Sequence, residues 1–273
     1  VGFQNQNDLI AGLINGQRFN IFKASQTSEG AGTWHSLWKA IGSPAAGANP
    51  PAFTAGSGYT PTRTTTGAVP FTNPANPKIS ALGRLGLAGA TVGALTIYDR
   101  LWACSGFDTT VTTAQNVTTP GNLPSGRDPN TGGDVEPWLE VYTAPGATGA
   151  TWTLTGVDGA GNTGRTWTYT HPANAESVGQ MAPFVPGTAA VLGCRQVTSL
   201  TCSVSSGTAG SVGITLLRRL ADIPLTAANI EQVLDAYGLG LPQVFDDSCL
   251  AFLVLCSATN TGIIQGLLSL PQN

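Results

Sequence analysis

The chain predicts a mainly β protein: an antiparallel, jelly-roll-like β-sandwich with short N-terminal helices, an extended Pro/Thr-rich arm and one C-terminal crossover helix. Three observations carry that expectation. From about Lys78 onward, short β-branched and aromatic runs alternate with clusters of Gly, Pro, Asn and Asp, the pattern of strands and tight turns. Within "LTCSV", Leu200, Cys202 and Val204 alternate with Thr201 and Ser203, which fits a strand with one wet face. A chain of 273 residues, 41% of them hydrophobic, has enough apolar material for one large domain or two small ones.

The N-terminal quarter reads differently. Leu9, Ile10, Leu13 and Ile14 recur at helical spacing behind Asn7 and Asp8, which suit a cap and a first-turn acid, and Gly16 stops the run. In "TWHSLWKAIG", Trp34, Leu37, Trp38 and Ile41 repeat at i, i+3, i+4 and i+7, with Thr33 as cap and Gly42 with Pro44 as stop, so a second short helix is expected. From "GSPAAGANPPAF" to "FTNPANP" periodicity disappears and Pro, Gly and Thr dominate, which favours an extended path, either disordered or pinned to a partner. The expected boundary therefore separates residues 1–77, helices and arm, from a sandwich at 78–273.

The expected strands are "ALTIYDRLWAC", "PWLEVYT", "TWTLTGV", "RTWTYTH", "RQVTSLTCSV" and "GITLLRRL". "SCLAFLVLC" is apolar without alternation and fits a strand buried on both faces or a buried helix. "TAANIEQVLDAYG" places Ile230, Val233, Leu234 and Tyr237 on one helical face, between a Thr226 cap and a Gly238 stop, and supplies the crossover helix. No fixed-period repeat is present.

"DGAGNTG" spaces Gly159, Gly161 and Gly164 as a dinucleotide fingerprint does. Such a fingerprint needs strand, loop and helix in that order, because the helix N-terminus receives the pyrophosphate. Here "RTWTYTH" follows with strand chemistry, so the glycines are expected to close a β-hairpin, with Asp158 and Asn162 tolerating left-handed backbone.

Composition narrows function. Only 10% of residues are charged, against ~25% in an ordinary domain, and the net charge is −3 with 12 Lys and Arg thinly spread. No basic stripe is available for phosphates, so no nucleic-acid partner is expected. The opening "VGFQNQN" has neither basic nor apolar signal character, and the longest weakly polar stretch, "LGLAGATVGALTIY" between Arg84 and Asp99, is short for a ~20-residue span, so no membrane partner is expected. Cys104, Cys194, Cys202, Cys249 and Cys256 form no CxxC pair and lie in apolar runs, which fits buried free thiols better than zinc ligands or a disulfide framework.

Catalytic signatures are absent from the sequence: there is no GxSxG, HExxH, Walker loop or EF-hand pattern. A Ser-His-Asp device would need His35 or His171, and both read as structural, one among tryptophans and one ending a strand before Pro172. Asp246 and Asp247 are adjacent and suit a turn or cap; Glu136 and Glu140 read as solvated strand acids rather than a sugar-cleaving pair. Asp128, Asn130, Asp134 and Glu136 cluster in one loop without matching a calcium cage. No enzymatic activity, cofactor or metal is expected.

Four blocks carry a resemblance: "GTWHSLWKAIGSP", "GVDGAGNTGRTWT", "APFVPG" with "VTSLTCSVSSGTAGSVGITLLRRLADIPL", and "LPQVFDDSCLAFLVLCSATNTG". Together, and in order over most of the chain, they resemble virion structural proteins of tailed bacteriophages, of the capsid decoration or cement kind. The resemblance implies a non-enzymatic protein on the capsid surface of the virion. Its partners would be the major capsid protein and other copies of itself, as a homotrimer, with the arm tying neighbouring subunits together. On that reading Phe3, Leu9, Leu13, Phe19, Phe22, Trp34, Trp38, Phe53, Tyr59, Pro61 and Phe71 are the candidate contacts, since aromatic and aliphatic anchors dominate interfaces. Two alternatives stand beside it. One is a phage tail or baseplate component; the other is a glycan-binding sandwich using Trp102, Trp138, Trp152 and Trp167 as a stacking platform, which requires at least two of the four exposed in one row.

Overall fold

The computed structural model describes residues 2–26, 29–54, 58–173, 176–260 and 262–273. The expected antiparallel β architecture is present, and it occurs twice. The chain divides into one compact unit of residues 1–48, 62–99 and 220–273 and another of residues 49–61 and 100–219. The described strands within residues 1–77 lie in the first unit, while residues 49–61 bring the half-buried Phe53 and the Tyr59 backbone pairing to the second.

In the first unit a five-stranded sheet runs Gln232–Leu234, Arg84–Gly89, Ile264–Leu270, Gln17–Lys23, Gly42–Ser43 in spatial order. Its long members pair antiparallel, Phe19 opposite Leu268 and Leu268 opposite Leu85. Trp34–Ser36 pairs with Leu250–Cys256, which pairs in turn with residues 93–99 of the strand Gly93–Asp108. The core drawn from these strands is almost wholly aliphatic: Ile21, Leu85, Leu87, Leu95, Ile97, Val254, Leu268 and Leu270, with Phe71 and Phe252 as its aromatic members. "SCLAFLVLC" is thus the strand buried on both faces.

The second unit has its own five-stranded sheet, ordered Val185–Pro186, Arg165–His171, Ala150–Val157, Gln196–Cys202, Gln115–Asn116. Val135–Thr143 pairs with Gln180–Pro183 on one side and with residues 211–218 of the strand Ser211–Leu225 on the other. Alternation is clean in Ala150–Val157, where every second residue is buried. This core is aromatic, with Trp102, Phe107, Trp152, Trp167 and Phe184 packed among Leu and Val side chains.

One N-terminal helix forms, Gln6–Asn15, with Asp8 in its first turn and Gly16 at its end; its cap is Asn5, whose side chain accepts from the Asp8 N–H, rather than Asn7. Two expected helices do not form. Trp34–Ser36 is a short strand, held in register opposite residues 253–255, and Ile41 projects outward at 77% exposure. Tertiary pairing overrides a helical spacing in which only four residues vote. The crossover helix is replaced by the strand Gln232–Leu234 and a four-residue helix, Ala236–Leu239, capped by Asp235. Asn229 at φ 59° takes the left-handed conformation, which breaks a right-handed helix there, and Val233 then pairs opposite Gly86.

The Pro/Thr-rich arm is tied to its own chain at several points. In the second unit the Ser105 hydroxyl donates to the Pro50 carbonyl at 2.6 Å, the Tyr59 and Ala103 backbones exchange hydrogen bonds at 2.9 and 3.0 Å, and the Phe53 ring stacks on Phe107 at 4.6 Å. In the first unit Arg63 donates to the Phe71 carbonyl and pairs with Asp247 at 3.0 Å, and Val69 N–H donates to the Leu250 carbonyl. Among the described residues no helix is long and apolar enough to cross a membrane.

Candidate functional site

The glycine loop is a hairpin turn. Gly161 and Gly164 have φ 86° and 67°, and the buried Asp158 carboxylate organises the loop by accepting from the Asn162 backbone at 2.9 Å, from the Asn162 amide and from Arg165 at 3.2 Å. The Asn162 amide, with Arg165 beside it, holds that carboxyl below the usual range. Arg165–His171 follows as a strand, so no helix N-terminus is available for a phosphate.

Other ionisable groups are consumed by the fold in the same way. In the second unit Glu140 is sealed, and its Oε2 accepts from Arg100 at 2.7 Å, Tyr142 at 2.7 Å and Thr215 at 2.8 Å. Burial alone raises its pKa, but the Arg100 guanidinium and the two hydroxyls outweigh burial and hold the carboxyl below its ordinary value. Glu140 is therefore a structural anion, not the solvated strand acid expected. Glu136 pairs with Arg219 at 3.2 Å and accepts from the Trp138 indole at 2.9 Å. Arg127 is buried and donates to the Pro61 and Arg100 carbonyls, at 2.7 and 3.0 Å.

The histidines sit one in each unit. His35 is closed in the first unit, where its Nε2 accepts from the Gly30 N–H at 3.0 Å and meets the Thr33 hydroxyl at 2.8 Å. Burial lowers its pKa, partly opposed by Glu29. His171 lies 3.0 Å from Glu176 in the second unit, and that contact raises its pKa. Among the described residues no Ser-His-Asp arrangement forms around either imidazole, and the Thr33 hydroxyl beside His35 also donates to the Gly30 carbonyl at 2.6 Å. Asp247 accepts from Arg63 and Asn73, the turn role expected of it. All five cysteines are free and buried, and burial pushes the Cys256 thiol up to about 12. Among the described residues no three His, Cys, Asp or Glu side chains converge as metal ligands.

Trp102, Trp138, Trp152 and Trp167 are each no more than 2% exposed. The stacking platform required for a glycan reading is absent because these rings fill the core of the second unit.

The eleven candidate contacts divide sharply. Trp38, Phe71, Pro61 and Leu9 are buried in their own chain: the Trp38 indole donates to the Ala48 carbonyl at 2.9 Å, and Phe71 sits in the aliphatic core. Phe3, Leu13, Phe19, Trp34, Phe53 and Tyr59 are half-buried, Phe19 against the first core and Phe53 against the second. Phe22 alone is exposed, at 42%.

Phe22 marks the outer face of the first unit's five-stranded sheet. A cleft of about 510 Å³ on that face is lined by Asn20, Phe22, Ala88, Glu231, Gly266 and Leu267. A second cleft, of about 220 Å³, is lined by Leu9, Ile10, Leu13, Arg84, Ala236 and Tyr237. The two are joined through Arg84 and Glu231, 3.5 Å apart. Gly86 makes this possible, since a side chain there would occupy the space taken by the Glu231 carboxylate. Ile230, Val233 and Tyr237, expected as the buried face of a helix, are instead exposed in this region, Tyr237 at 76%. The usable signal was the β-branched character of Ile230 and Val233 behind the turn-former Asn229.

No protein-family model and no curated protein matches the chain. Among solved structures it is similar to the VP2 subviral particle of infectious bursal disease virus, at 12% identity over 69% of this chain and 41% of that one, with a TM-score of 0.19. It is also similar to the structure of the Gx strain of the same virus, at 11% identity over 94% of this chain and 63% of that one, with a TM-score of 0.21. The chain thus spans less than two thirds of the chains it matches. Likeness of this size assigns no function.

Proposed function

We propose that the protein is a non-enzymatic virion structural protein, a capsid decoration or cement protein that binds the outer head of a tailed bacteriophage and stabilises the shell. The observation that carries this reading is a division of labour among side chains. Ionisable groups that would do chemistry are locked in structural pairs, as with Arg100 and Glu140 or Asp158 and Arg165. Large apolar side chains left over by the cores are turned outward, Ile14, Phe22, Ile41 and Tyr237 among them. Such a surface fits a protein whose work is contact with other proteins. The four sequence blocks that resemble phage virion proteins supply the particular partner, the major capsid protein.

A cement that binds only the assembled lattice raises the lattice's resistance to heat through mass action. The test is co-sedimentation of the purified protein with isolated capsids and, separately, isolated tails, followed by electron microscopy of the complexes. Saturable binding to heads, with a raised temperature of shell disruption, is the expected result. Binding to tails alone moves the protein to the tail or baseplate, and binding to neither overturns the virion reading.

A further inference from the structure

We infer that a cleft in the second unit, walled by residues 135–137, 183–186 and Trp167, binds a short basic peptide segment: a prolyl or aliphatic residue whose carbonyl accepts from the Trp167 indole, followed by Lys or Arg. The inference goes beyond the virion reading and does not depend on it.

The cleft measures about 510 Å³, within the ~300–1,000 Å³ usual for sites that enclose a small ligand. Val135, Pro137, Trp167, Pro183, Phe184 and Pro186 give it apolar walls. Its mouth is fixed before anything binds. Gly159, from the glycine hairpin, donates its N–H to the Leu192 carbonyl at 2.7 Å, and the Cys194 N–H donates to the Val135 carbonyl at 3.0 Å. Gly193, at φ 54°, packs so closely on the Gly132 carbonyl that no side chain fits there, and a side chain at Gly159 would strike Gly133. A preformed mouth spares a ligand the cost of ordering it.

One polar group in the wall is unanswered. Trp167 is 1% exposed, and its indole N–H has no acceptor among the described residues, although a buried indole N–H ordinarily finds one. The space beside Gly156, on the neighbouring strand Ala150–Val157, is bounded by Cζ3, the ring atom on the far side of the indole from Nε1. The N–H end is therefore turned the other way, toward Pro186, which lies opposite Trp167 in register and lines the cleft.

Other donors along the walls are taken or missing. The Gly133, Val135 and Phe184 N–H groups donate to the Asn130, Gly132 and Pro137 carbonyls, and the three prolines have no N–H to give. Acceptors are arranged differently. Glu136 is engaged by Arg219 and by the Trp138 indole, whereas Asp134 is exposed and enters no hydrogen bond or ion pair among the described residues. Two carboxylates against one guanidinium leave the lining net negative.

These features select the ligand. A sugar or nucleotide needs several donors, and an anion would meet Asp134 with Arg219 already paired. A purely apolar molecule would bury the indole N–H for good, at the cost of its hydrogen bond. A peptide carbonyl inside an apolar residue answers the indole, and a cationic side chain next to it answers Asp134.

The test titrates the full chain, labelled with indole ¹⁵N-tryptophan, with acetylated tripeptide amides carrying Leu, Val or Phe, then Pro, then Arg. The Trp167 signal is assigned through Trp167→Phe. The expected result is a saturable shift of the Trp167 N–H, and binding at least about fivefold weaker when Glu replaces Arg. Asp134→Asn, a substitution at an exposed position, removes about two- to fivefold of the affinity for the Arg peptides and most of that preference. Trp167→Phe weakens binding about fivefold or more; if that variant fails to fold, the wild-type shift and Asp134→Asn still decide. If no tripeptide of the set moves the Trp167 signal, or if that N–H exchanges rapidly with water and is answered by solvent alone, the inference is overturned. Equal binding of the Glu peptides, or of arginine amide without its apolar neighbours, overturns it as well.

Discussion

The two units share an architecture and differ in what they keep inside. The second unit buries Trp102, Trp138, Trp152 and Trp167 together with an ion-paired network around Glu140, and among its described residues its large exposed apolar side chains are Val185, Leu192 and Val204. The first unit builds its core mostly from Leu, Ile and Val and leaves Ile10, Ile14, Phe22, Ile41, Val92, Ile230, Val233, Tyr237 and Ile263 outside. An aromatic residue is therefore no guide to a binding surface by itself in this chain. Where tryptophan fills a core few large apolar side chains stay outside, and where aliphatic residues suffice the leftover apolar groups become surface.

The contrast breaks most visibly at Glu140. Replacing it by Ala leaves the Arg100 guanidinium, 0% exposed, without the carboxylate that meets it at 2.7 Å. Removing one partner of a buried pair costs about 3–5 kcal/mol, because the other charge stays desolvated. Urea unfolding should show that loss for Glu140→Ala, and the double replacement Arg100→Met with Glu140→Leu should recover most of it. A single variant as stable as the wild type would mean that the network is not what holds the second unit's interior.

The first unit's main core cluster is apolar, so its weak point there is volume. Leu268 is fully buried and lies between Phe19 and Leu85 in register. Leu268→Ala is expected to cost about 2–5 kcal/mol, the transfer term plus the cavity left behind. Unfolding measured alongside Glu140→Ala sharpens the comparison: repacking with Met at 268 should restore much of the loss, since Leu and Met have similar volume, while no apolar residue alone at 140 should rescue the second unit.

Much of this was legible in the chain, and the rest was not for identifiable reasons. Strand identity was readable where alternation ran long enough, as in "TWTLTGV" and "RTWTYTH", and the hairpin between them followed from Asp158, Asn162 and three glycines. The strands Gln17–Lys23 and Ile264–Leu270 went unread although they pair with one another, because partners some 250 residues apart leave no local trace. The helical spacing of Trp34, Leu37, Trp38 and Ile41 misled for a related reason: the Leu250–Cys256 strand claims residues 34–36, and Ile41 is turned to solvent. The candidate contacts were chosen for being apolar, which cannot distinguish Phe22 on an outer sheet face from Phe71 in the core. That distinction belongs to register, and register is a property of the paired strands.

The smallest expected effect tests the two units through their histidines, which are shifted in opposite directions. His35 in the first unit is lowered from 6.5, chiefly by burial, so the unfolded chain binds more protons than the folded one between the folded-state value and 6.5. Stability contributed there falls as the pH drops through that window. His171 in the second unit is raised above 6.5 by Glu176, so its contribution is fully present below 6.5 and is lost as the pH rises through the folded-state value. Lys23, buried in the first unit against the Ala40 and Ala45 carbonyls and lowered to about 8, has the sign of His35: stability rises between about 8 and its ordinary 10.5. Thermal unfolding from pH 5 to 10 therefore resolves the units by single substitutions. His35→Gln should flatten the acid limb and leave the alkaline side unchanged, while His171→Gln should remove the loss that begins above 6.5 and leave the Lys23 rise intact. If both variants altered the same limb, the opposite environments of the two imidazoles would be wrong.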